Sequence, residues 1–314
     1  MSRRFLISAL AALVCLHLFG QEKEKLVFTP QWMAQAQFAG YYVAQEKGFY
    51  ADEGLDVKIV HHNGTRAPED RITANPDVIT TLTLPQAMEL ADKGIQLVNI
   101  LQTSMNSGLL IVSRFGGDPL QMKGATLAVW RSGYNQLAFC VAKDLGLDYK
   151  FVEAADVVNI FVAGAVDAAL AMYYNELLHI RESGIEPDEK SVFRFSEHGY
   201  NVQEDGLYVT REFYEKHSDS AERFARASRR GWEYAAEHQD EALDMVMDYV
   251  KKNNIATNRI IQGLMLQEVL RLQLDPDSGE REFKLREDMF NLACEVMLRV
   301  GLLSAPLTIN QLSR

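Results

Sequence analysis

The chain has 314 residues, of which 47% are hydrophobic and 24% are charged, and this composition excludes disordered and fibrous proteins. Such a length is enough for one large or two medium globular domains. The formal net charge of −11 argues against a protein that binds nucleic acid or an anionic membrane, because no run of Lys and Arg supplies the basic face that either function needs.

The first 20 residues predict a secretory signal peptide. Two arginines precede an apolar stretch from Phe5 to Phe19, which is shorter than the roughly 20 residues that span a bilayer. We expect cleavage after Gly20 and export to the periplasm. An uncleaved membrane anchor is one alternative. Lipid attachment at Cys15 is another, although the residues before this cysteine lack the small side chain that attachment sites favour.

Strand and helix patterns alternate from Leu26 to about Arg114, which indicates an α/β lobe with a parallel sheet. The predicted strands are Leu26–Phe28, Leu55–Val60, Val78–Leu82, Leu97–Leu101 and Leu109–Ser113, and the predicted helices are Gln37–Lys47 and Pro85–Lys93. Gly48 ends the first of these helices at the position where glycine commonly stops a helix.

A second alternating set begins after the turn formed by residues 116–119, Gly-Gly-Asp-Pro, and predicts a second α/β lobe. Its predicted strands are Thr126–Val129, Lys150–Val152, Ala168–Ala171 and Val192–Phe195, and its helices include Asn135–Leu145 and Asn175–Ser183. A short strand, Gly206–Thr210, follows, and the remainder of the chain reads as helical.

The late helices are amphipathic and need an apolar surface to cover. In Ser218–Glu237, one face collects Ala221, Phe224, Ala225, Ser228, Trp232 and Ala235 at three- and four-residue steps. We expect these helices to return to the first lobe. The first lobe would then comprise residues 21–113 and 207–314, and the second lobe residues 114–206. Two crossing segments, with hinges near Ser113–Phe115 and Glu204–Leu207, would join the lobes on either side of a ligand cleft.

Three long motifs resemble the NMT1/THI5-like family of solute-binding proteins over most of the chain after the predicted signal. They are QFAGYYVAQEKGFYADEGLDVKI at Gln37–Ile59, VDAALAMYYNE at Val166–Glu176, and EDGLYV followed by RRGWEYAAEHQDEALD. The resemblance implies a type II periplasmic-binding-protein fold. It also implies that the protein delivers its ligand to an ABC permease and its ATPase. The YNE sequence resembles the branch that recognises thiamine-precursor pyrimidines, while other relatives bind sulfonates or flavin-type compounds.

Two of the three tryptophans follow predicted strands in different lobes, so Trp32 and Trp130 can face one cleft. A flat heterocycle would gain about 0.5 to 1.5 kcal/mol from each offset aromatic stack. Packing in a core is the alternative for both residues. Trp232 lies on the amphipathic helical face, and we expect it in the core.

Glu176 follows a predicted strand of the second lobe and begins a helix, together with Tyr173 and Asn175. A carboxylate is favoured near a helix N-terminus even without a ligand, which is the structural alternative. As a ligand group, Glu176 would accept the exocyclic N–H and a ring N–H of an aminopyrimidine. It would also disfavour a sulfonate or phosphate, because both carry negative charge.

Further polar or aromatic residues of the predicted site occupy comparable positions at strand ends or on the first helix. They are Gln35, Gln37, Tyr41, Thr81, Ser104, Asn106 and Asn135. Each is a weak signal alone, because loops are generally polar. In the first loop, relatives often carry Pro, Asn and His before the glycine that Gly40 matches, and this chain lacks that pattern. The resemblance therefore leaves the first-lobe hydrogen bonds undefined.

An enzyme is the main alternative from another functional class, because the family includes pyrimidine synthases that consume their own histidine and need iron. This sequence has no histidine between Gln21 and His61, and no G-x-S-x-G, H-E-x-x-H or Walker motif. Strand alternation sends His61 and His62 to opposite faces, which disfavours a shared metal. We therefore expect a monomeric binding protein without a cofactor. A sensor for a membrane signalling protein is a further alternative.

Overall fold

The structure is a computed structural model that describes residues 23–61, 68–114, 116–131 and 135–314. The predicted signal peptide at residues 1–20 lies outside the described residues, and so does Phe115 of the first predicted hinge. Of the helices in the described ranges, none combines the length and the apolar composition that crossing a bilayer requires.

Two five-stranded sheets form the centres of two α/β lobes. The strands are β1 (Glu24–Thr29), β2 (Leu55–Ile59), β3 (Val78–Thr83), β4 (Leu97–Gln102), β5 (Leu109–Ser113), β6 (Thr126–Trp130), β7 (Lys150–Ala154), β8 (Ala168–Met172), β9 (Val192–Arg194) and β10 (Asp205–Thr210). The strand order is β2-β1-β3-β10-β4 in the first sheet and β7-β6-β8-β5-β9 in the second. This architecture confirms the predicted fold class of two α/β lobes.

Helices surround both sheets. They are α1 (Ala39–Glu46), α2 (Phe49–Asp52), α3 (Pro68–Ala74), α4 (Leu84–Asp92), α5 (Gln136–Asp144), α6 (Val157–Val162), α7 (Glu176–Glu182), α8 (Arg211–Glu237), α9 (Gln239–Lys252), α10 (Arg259–Leu272) and α11 (Glu287–Arg299). Short 3-10 helices occur at Ala36–Phe38, Pro119–Gln121, Glu189–Ser191, Phe195–His198 and Ile309–Gln311. Gly48 adopts φ 75° between α1 and α2, which agrees with the predicted helix stop.

In each sheet, one strand runs antiparallel to both of its neighbours. The chain forms this strand directly after it crosses from the other lobe. In the first sheet, β10 pairs antiparallel with β3 and β4. In the second sheet, β5 pairs antiparallel with β8 and β9. The predicted placement of β5 in the first lobe is therefore wrong. All five of its residues are buried and four of them are apolar, and such a strand carries no signal that distinguishes one sheet from the other.

The first crossing between the lobes consequently spans residues 103–108, and the second spans residues 195–204. The Glu204 carboxyl group joins the two, because it accepts hydrogen bonds from Ser107 Oγ at 2.7 Å and from the Gly108 N–H at 3.0 Å. Asn201 Oδ1 accepts the Ser107 N–H at 2.9 Å. Burial raises the pKa of Glu204 to about 8. The crossings therefore form one hydrogen-bonded unit.

The late helices cover the first lobe, as predicted, and some also contact the second. Helices α8 and α9 pack on α1, whereas α11 contacts both α4 and α5. Arg299 of α11 forms an ion pair with Asp144 of α5 at 2.5 Å. Gln136 of α5 donates a hydrogen bond to Glu89 of α4 at 2.9 Å. The two lobes therefore meet along these helices as well as at the crossings.

Helices α1 and α8 approach each other through glycine. A Cβ atom at Gly231 would overlap the carbonyl oxygen of Gly40, and a Cβ at Gly40 would overlap the indole ring of Trp232. Trp232 is 1% exposed, which confirms its predicted place in the core. Close packing here holds the helix that follows the Trp32 loop against the long helix of the same lobe.

We expect Gly231→Ala to lower the free energy of unfolding by about 1 to 3 kcal/mol, because the added methyl group forces the two helices apart. Urea denaturation measures this change. Gly117→Ala is the matched control, since a Cβ there meets no atom within 4 Å. It should change the free energy of unfolding by less than about 0.5 kcal/mol. Equal effects of the two substitutions would contradict the packing argument.

Candidate ligand-binding site

A small cavity of about 20 Å³, room for about one water molecule, lies between the lobes where β1, β6 and β8 end. Trp32 follows β1 of the first sheet, and Trp130 is the last residue of β6 in the second sheet. The cavity is lined by Trp32, Gln35, Gln37, Trp130, Met172, Tyr174, Asn175 and Glu176. The two indole rings come from opposite lobes.

A wider cleft of about 570 Å³ adjoins this cavity and shares several of its lining residues. The shared residues are Trp32, Gln35, Trp130, Asn175 and Glu176. None of the described residues that line either space is Lys or Arg, whereas Asp156, Glu176 and Glu182 are acidic. Carboxyl groups therefore outnumber basic side chains among the described lining residues.

Glu176 occupies the first position of α7 and is 7% exposed. Its Oε2 accepts the Met172 N–H at 2.9 Å, and its Oε1 accepts Asn175 Nδ2 at 3.0 Å. Burial raises the pKa of Glu176 from 4.5 to about 7, and these hydrogen bonds oppose part of that rise. The carboxyl group therefore exists near neutral pH as a mixture of acid and carboxylate, and it can donate or accept a proton at the cleft.

Three glutamines and an aspartate form a hydrogen-bonded chain behind the Trp32 loop. Gln35 Nε2 donates to Gln37 Oε1 at 2.7 Å, and Gln37 Nε2 donates to Asp205 Oδ2 at 2.6 Å. The other Asp205 oxygen accepts Gln31 Nε2 at 2.7 Å. The chain connects strand β10, at the second crossing, to the cavity wall.

The Trp32 backbone is held by His61 at the end of the adjacent strand. His61 Nδ1 lies 2.9 Å from the Trp32 carbonyl oxygen, and its Nε2 lies 2.7 Å from the Tyr42 hydroxyl. Tyr42 stacks on Tyr249 with a centroid distance of 3.9 Å. These contacts fix the loop from three elements of the first lobe. Within the described ranges, no group of three or more His, Cys, Asp or Glu side chains is placed to hold a metal ion.

The structure brings six of the predicted site residues to one cavity, namely Trp32, Gln35, Gln37, Trp130, Asn175 and Glu176. Their contact with a ligand stays a prediction. Three other predicted residues lie away from the cavity. Tyr41 packs against Phe28 in the first-lobe core, with ring centroids 4.7 Å apart, because it faces inward from α1. Thr81 Oγ1 accepts the Gln31 N–H at 2.8 Å, and Ser104 Oγ donates to a backbone carbonyl at 2.6 Å.

The remaining three predicted residues also lie outside the cavity lining. Asn106 Nδ2 donates to the Leu274 carbonyl oxygen at 2.7 Å, and Asn135 Nδ2 donates to the Trp130 carbonyl oxygen at 3.3 Å. The Tyr173 hydroxyl donates to the Glu268 carbonyl oxygen at 3.3 Å. Position at a strand end locates the backbone but does not determine which way a side chain points.

Sequence reasoning missed Met172 and Tyr174 of the cavity wall, and also Gln31 and Asp205 behind it. Tyr173 and Tyr174 lie in the turn that follows β8, where strand alternation no longer determines which side chain faces the cavity. Asp205 gave a weaker signal, since an acidic residue at a strand start is usually solvated.

A family model described as NMT1/THI5 like matches residues 35–242. The chain belongs to the NMT1/THI5-like family. A formylaminopyrimidine-binding protein of Halalkalibacterium halodurans is 23% identical over 256 residues, which are 78% of this chain and 77% of that protein. The riboflavin-binding protein RibY of Chloroflexus aurantiacus is 22% identical over 309 residues, which are 92% of this chain and 84% of that protein.

Solved structures show the same fold. A Candida albicans protein with the generic periplasmic binding protein structural fold superposes with a TM-score of 0.67 at 16% identity, covering 94% of this chain and 96% of that one. The NMT1/THI5-like chain therefore has the periplasmic-binding-protein fold that the sequence predicted. The family match begins at Gln35 in the first-lobe loop, and the matched residues include Trp130 and Glu176 of the cavity.

Glu176→Gln tests the burial of this carboxyl group. Because its folded pKa of about 7 lies above the unfolded value near 4.5, its contribution to stability is present below pH 4.5 and is lost as pH rises through 7. Relative to the variant, the wild-type free energy of unfolding should fall by about 3 kcal/mol between pH 4.5 and pH 8. Urea denaturation at several pH values measures the difference between the two unfolding free energies. The contribution of Glu204 cancels in this difference, because both proteins contain that residue. Parallel pH curves for the two proteins would show that Glu176 is not desolvated.

Proposed function

We propose that this protein is the exported solute-binding component of an ABC importer, and that it binds a thiamine-precursor aminopyrimidine between its lobes. The observation that carries the proposal is the joint lining of one cavity by Trp32, Trp130 and Glu176. The formylaminopyrimidine-binding relative supports the ligand class. Family membership and fold support a binding role, and transport energy would come from a permease and its ATPase.

The cavity chemistry matches an aminopyrimidine at its faces and at one edge. Indole rings from the two lobes offer apolar faces to a flat ring, and closure on the ring would desolvate both. At the edge, a neutral aminopyrimidine presents one N–H donor and one ring-nitrogen acceptor side by side. A protonated carboxyl group presents the complementary pair, and the raised pKa of Glu176 makes that form accessible near pH 7. If the proton moves from the Glu176 carboxyl group to the ring nitrogen, the same two hydrogen bonds join a carboxylate to a protonated ring.

Anionic solutes fit this site poorly. The described lining contains no Lys or Arg, and a buried carboxyl group faces the ligand position. Among the described lining residues, a sulfonate or nitrate would meet no Lys or Arg side chain, and the carboxylate form of Glu176 would repel it. A flavin is the second candidate. The specific observation in its favour is the wider cleft of about 570 Å³, which can hold a ring system larger than a pyrimidine.

Ligand release requires the lobes to separate, and the crossings are the natural hinges. We place the hinges at residues 103–108 and 195–204, because the strands on either side belong to different sheets. Glu204 links these two segments, so they would move together. We also propose that the lobe boundary lies within the crossings, that the chain is exported and that it is a monomer.

A panel of melting temperatures tests the ligand class. Hydroxymethyl and formylamino aminopyrimidines should raise the melting temperature, because they bind only the folded state, whereas an aliphatic sulfonate should leave it unchanged. Riboflavin is included to test the second candidate.

Glu176→Leu should weaken aminopyrimidine binding by about tenfold to a hundredfold, since a charge-assisted hydrogen bond contributes about 1.5 to 3 kcal/mol. Glu186→Leu, at an exposed position of the same lobe, is the control and should bind normally. Binding of the sulfonate but of no pyrimidine would reject the proposal.

Aminopyrimidine affinity should also depend on pH. The complex holds one proton between the carboxyl group and the ring nitrogen, whereas free Glu176 loses its proton above pH 7. The dissociation constant should therefore rise by up to about tenfold for each pH unit above 7. In Glu176→Gln, the amide presents the donor and acceptor without titrating, so the dependence should disappear. Isothermal titration calorimetry from pH 6 to pH 9 measures both, and an unchanged pH dependence in the variant would contradict the assigned pair.

A further inference from the structure

A hydrogen bond joins the two lobes at the rim of the wider cleft. Asn258 Nδ2, in the first lobe, donates to Glu182 Oε1, in the second lobe, at 2.8 Å. Residues 255–257, which precede Asn258, line the cleft from one side, and Glu182 and Ser183 line it from the other. Both partners are exposed to solvent, so their contact closes the cleft at its outer edge.

Each partner is also held within its own lobe. Asn258 is the N-cap of α10, and its Oδ1 accepts the Ile261 N–H at 3.0 Å. The Nδ2 end of the same side chain is therefore the end that reaches across the cleft. Glu182 is the last residue of α7, and its Oε2 lies 3.2 Å from His179 Nδ1, one turn earlier in that helix. Because both side chains are already oriented, little rotamer freedom is lost when the contact forms.

Helix α10 connects this contact to the crossings. The carbonyl oxygen of Leu272, its last residue, accepts the N–H of Met105 in the first crossing at 2.7 Å. The helix has 14 residues and is therefore about 21 Å long. A rotation of the lobes by about 10° at the crossings would separate atoms at the far end of the helix by about 4 Å, which is enough to break a hydrogen bond. Contacts beside the crossings would move much less.

We infer that Asn258 and Glu182 form an interlobe clasp, and that this clasp sets how long the closed protein retains its ligand. The described residues that line the cavity of Trp32 and Trp130 do not include either partner, so the clasp acts on the lobes and leaves recognition of the ligand to other residues. The part of the inference that concerns ligand retention rests on the proposed function. The clasp itself is a property of the lobes with or without a ligand.

Asn258→Asp tests the clasp without removing the helix cap. Aspartate caps a helix as well as asparagine does, but here it removes the donor and places a second carboxylate against Glu182. The dissociation rate constant of the hydroxymethyl aminopyrimidine should rise by about threefold to tenfold, as expected for an exposed charge-assisted contact. The association rate constant should stay within about twofold of the wild-type value, because the open cleft is unchanged. Stopped-flow tryptophan fluorescence measures both rate constants.

Adding Glu182→Gln to this variant reverses the polarity of the clasp. The introduced glutamine amide can donate to the introduced aspartate, so the dissociation rate constant of the double variant should return to within about twofold of the wild-type value. A surface that was merely damaged would not be repaired by a second substitution. Asn75→Asp is the matched control, since it makes the same chemical change at an exposed position of the first lobe, where Asn75 Oδ1 accepts the Asp77 N–H at 3.2 Å. It should leave both rate constants unchanged.

The distance between the lobes tests the clasp without any ligand. Spin labels at Lys190→Cys and Lys251→Cys, exposed positions in the second and first lobes, report this distance by double electron–electron resonance. Cys140 and Cys294 are buried, so the label goes to the introduced cysteines. Asn258→Asp should lower the population at the closed distance, and the added Glu182→Gln should restore it.

Two results would overturn the inference. One is the same distance distribution in the wild-type protein, in Asn258→Asp and in the double variant. The other is an equal dissociation rate constant in all three proteins. Wild-type protein that binds no aminopyrimidine would reject the proposed function, and the distance measurement would still decide whether the clasp holds the lobes together.

Discussion

The exchange of one antiparallel strand between the two sheets is the constraint on which the remaining structure depends. Strand β5 enters the second sheet directly from the first lobe, and β10 enters the first sheet directly from the second lobe. The crossings that feed these strands lie side by side and share the Glu204 carboxyl group. Because both crossings are short, the strand ends that carry Trp32 and Trp130 meet at one cavity. The position of the cavity therefore follows from the topology of the two sheets.

Three buried or partly buried acidic groups give this interior its electrostatic character. Loss of solvation raises the pKa of Glu176 at the cavity, of Asp205 behind it and of Glu204 at the crossings. Each group nonetheless has named hydrogen-bond donors, so none is an unsatisfied charge. Glu176 lines the cavity, Asp205 accepts the side-chain amides of Gln31 and Gln37 behind it, and Glu204 joins the two crossings.

The sequence predicted the fold well because its signals are local and regular. Alternating apolar runs identified the strands, and the buried face of α8 follows the predicted spacing from Ala221 to Ala235. The assignment of β5 was wrong because sheet membership depends on long-range pairing, which a five-residue apolar strand does not encode. The places of Trp32, Trp130 and Glu176 in the cavity wall were predictable from strand ends and residue chemistry. The orientation of Tyr173 and Tyr174 depends on the turn after β8, and the support from Asp205 depends on partners 168 and 174 residues away.

A crystal structure of the complex with the hydroxymethyl aminopyrimidine tests the site most directly. The pyrimidine ring should lie in the cavity between Trp32 and Trp130, with its amino edge within hydrogen-bond distance of the Glu176 carboxyl group. A ring bound elsewhere on the molecule, or in contact with only one lobe at saturating ligand, would contradict the account of a site built from both lobes.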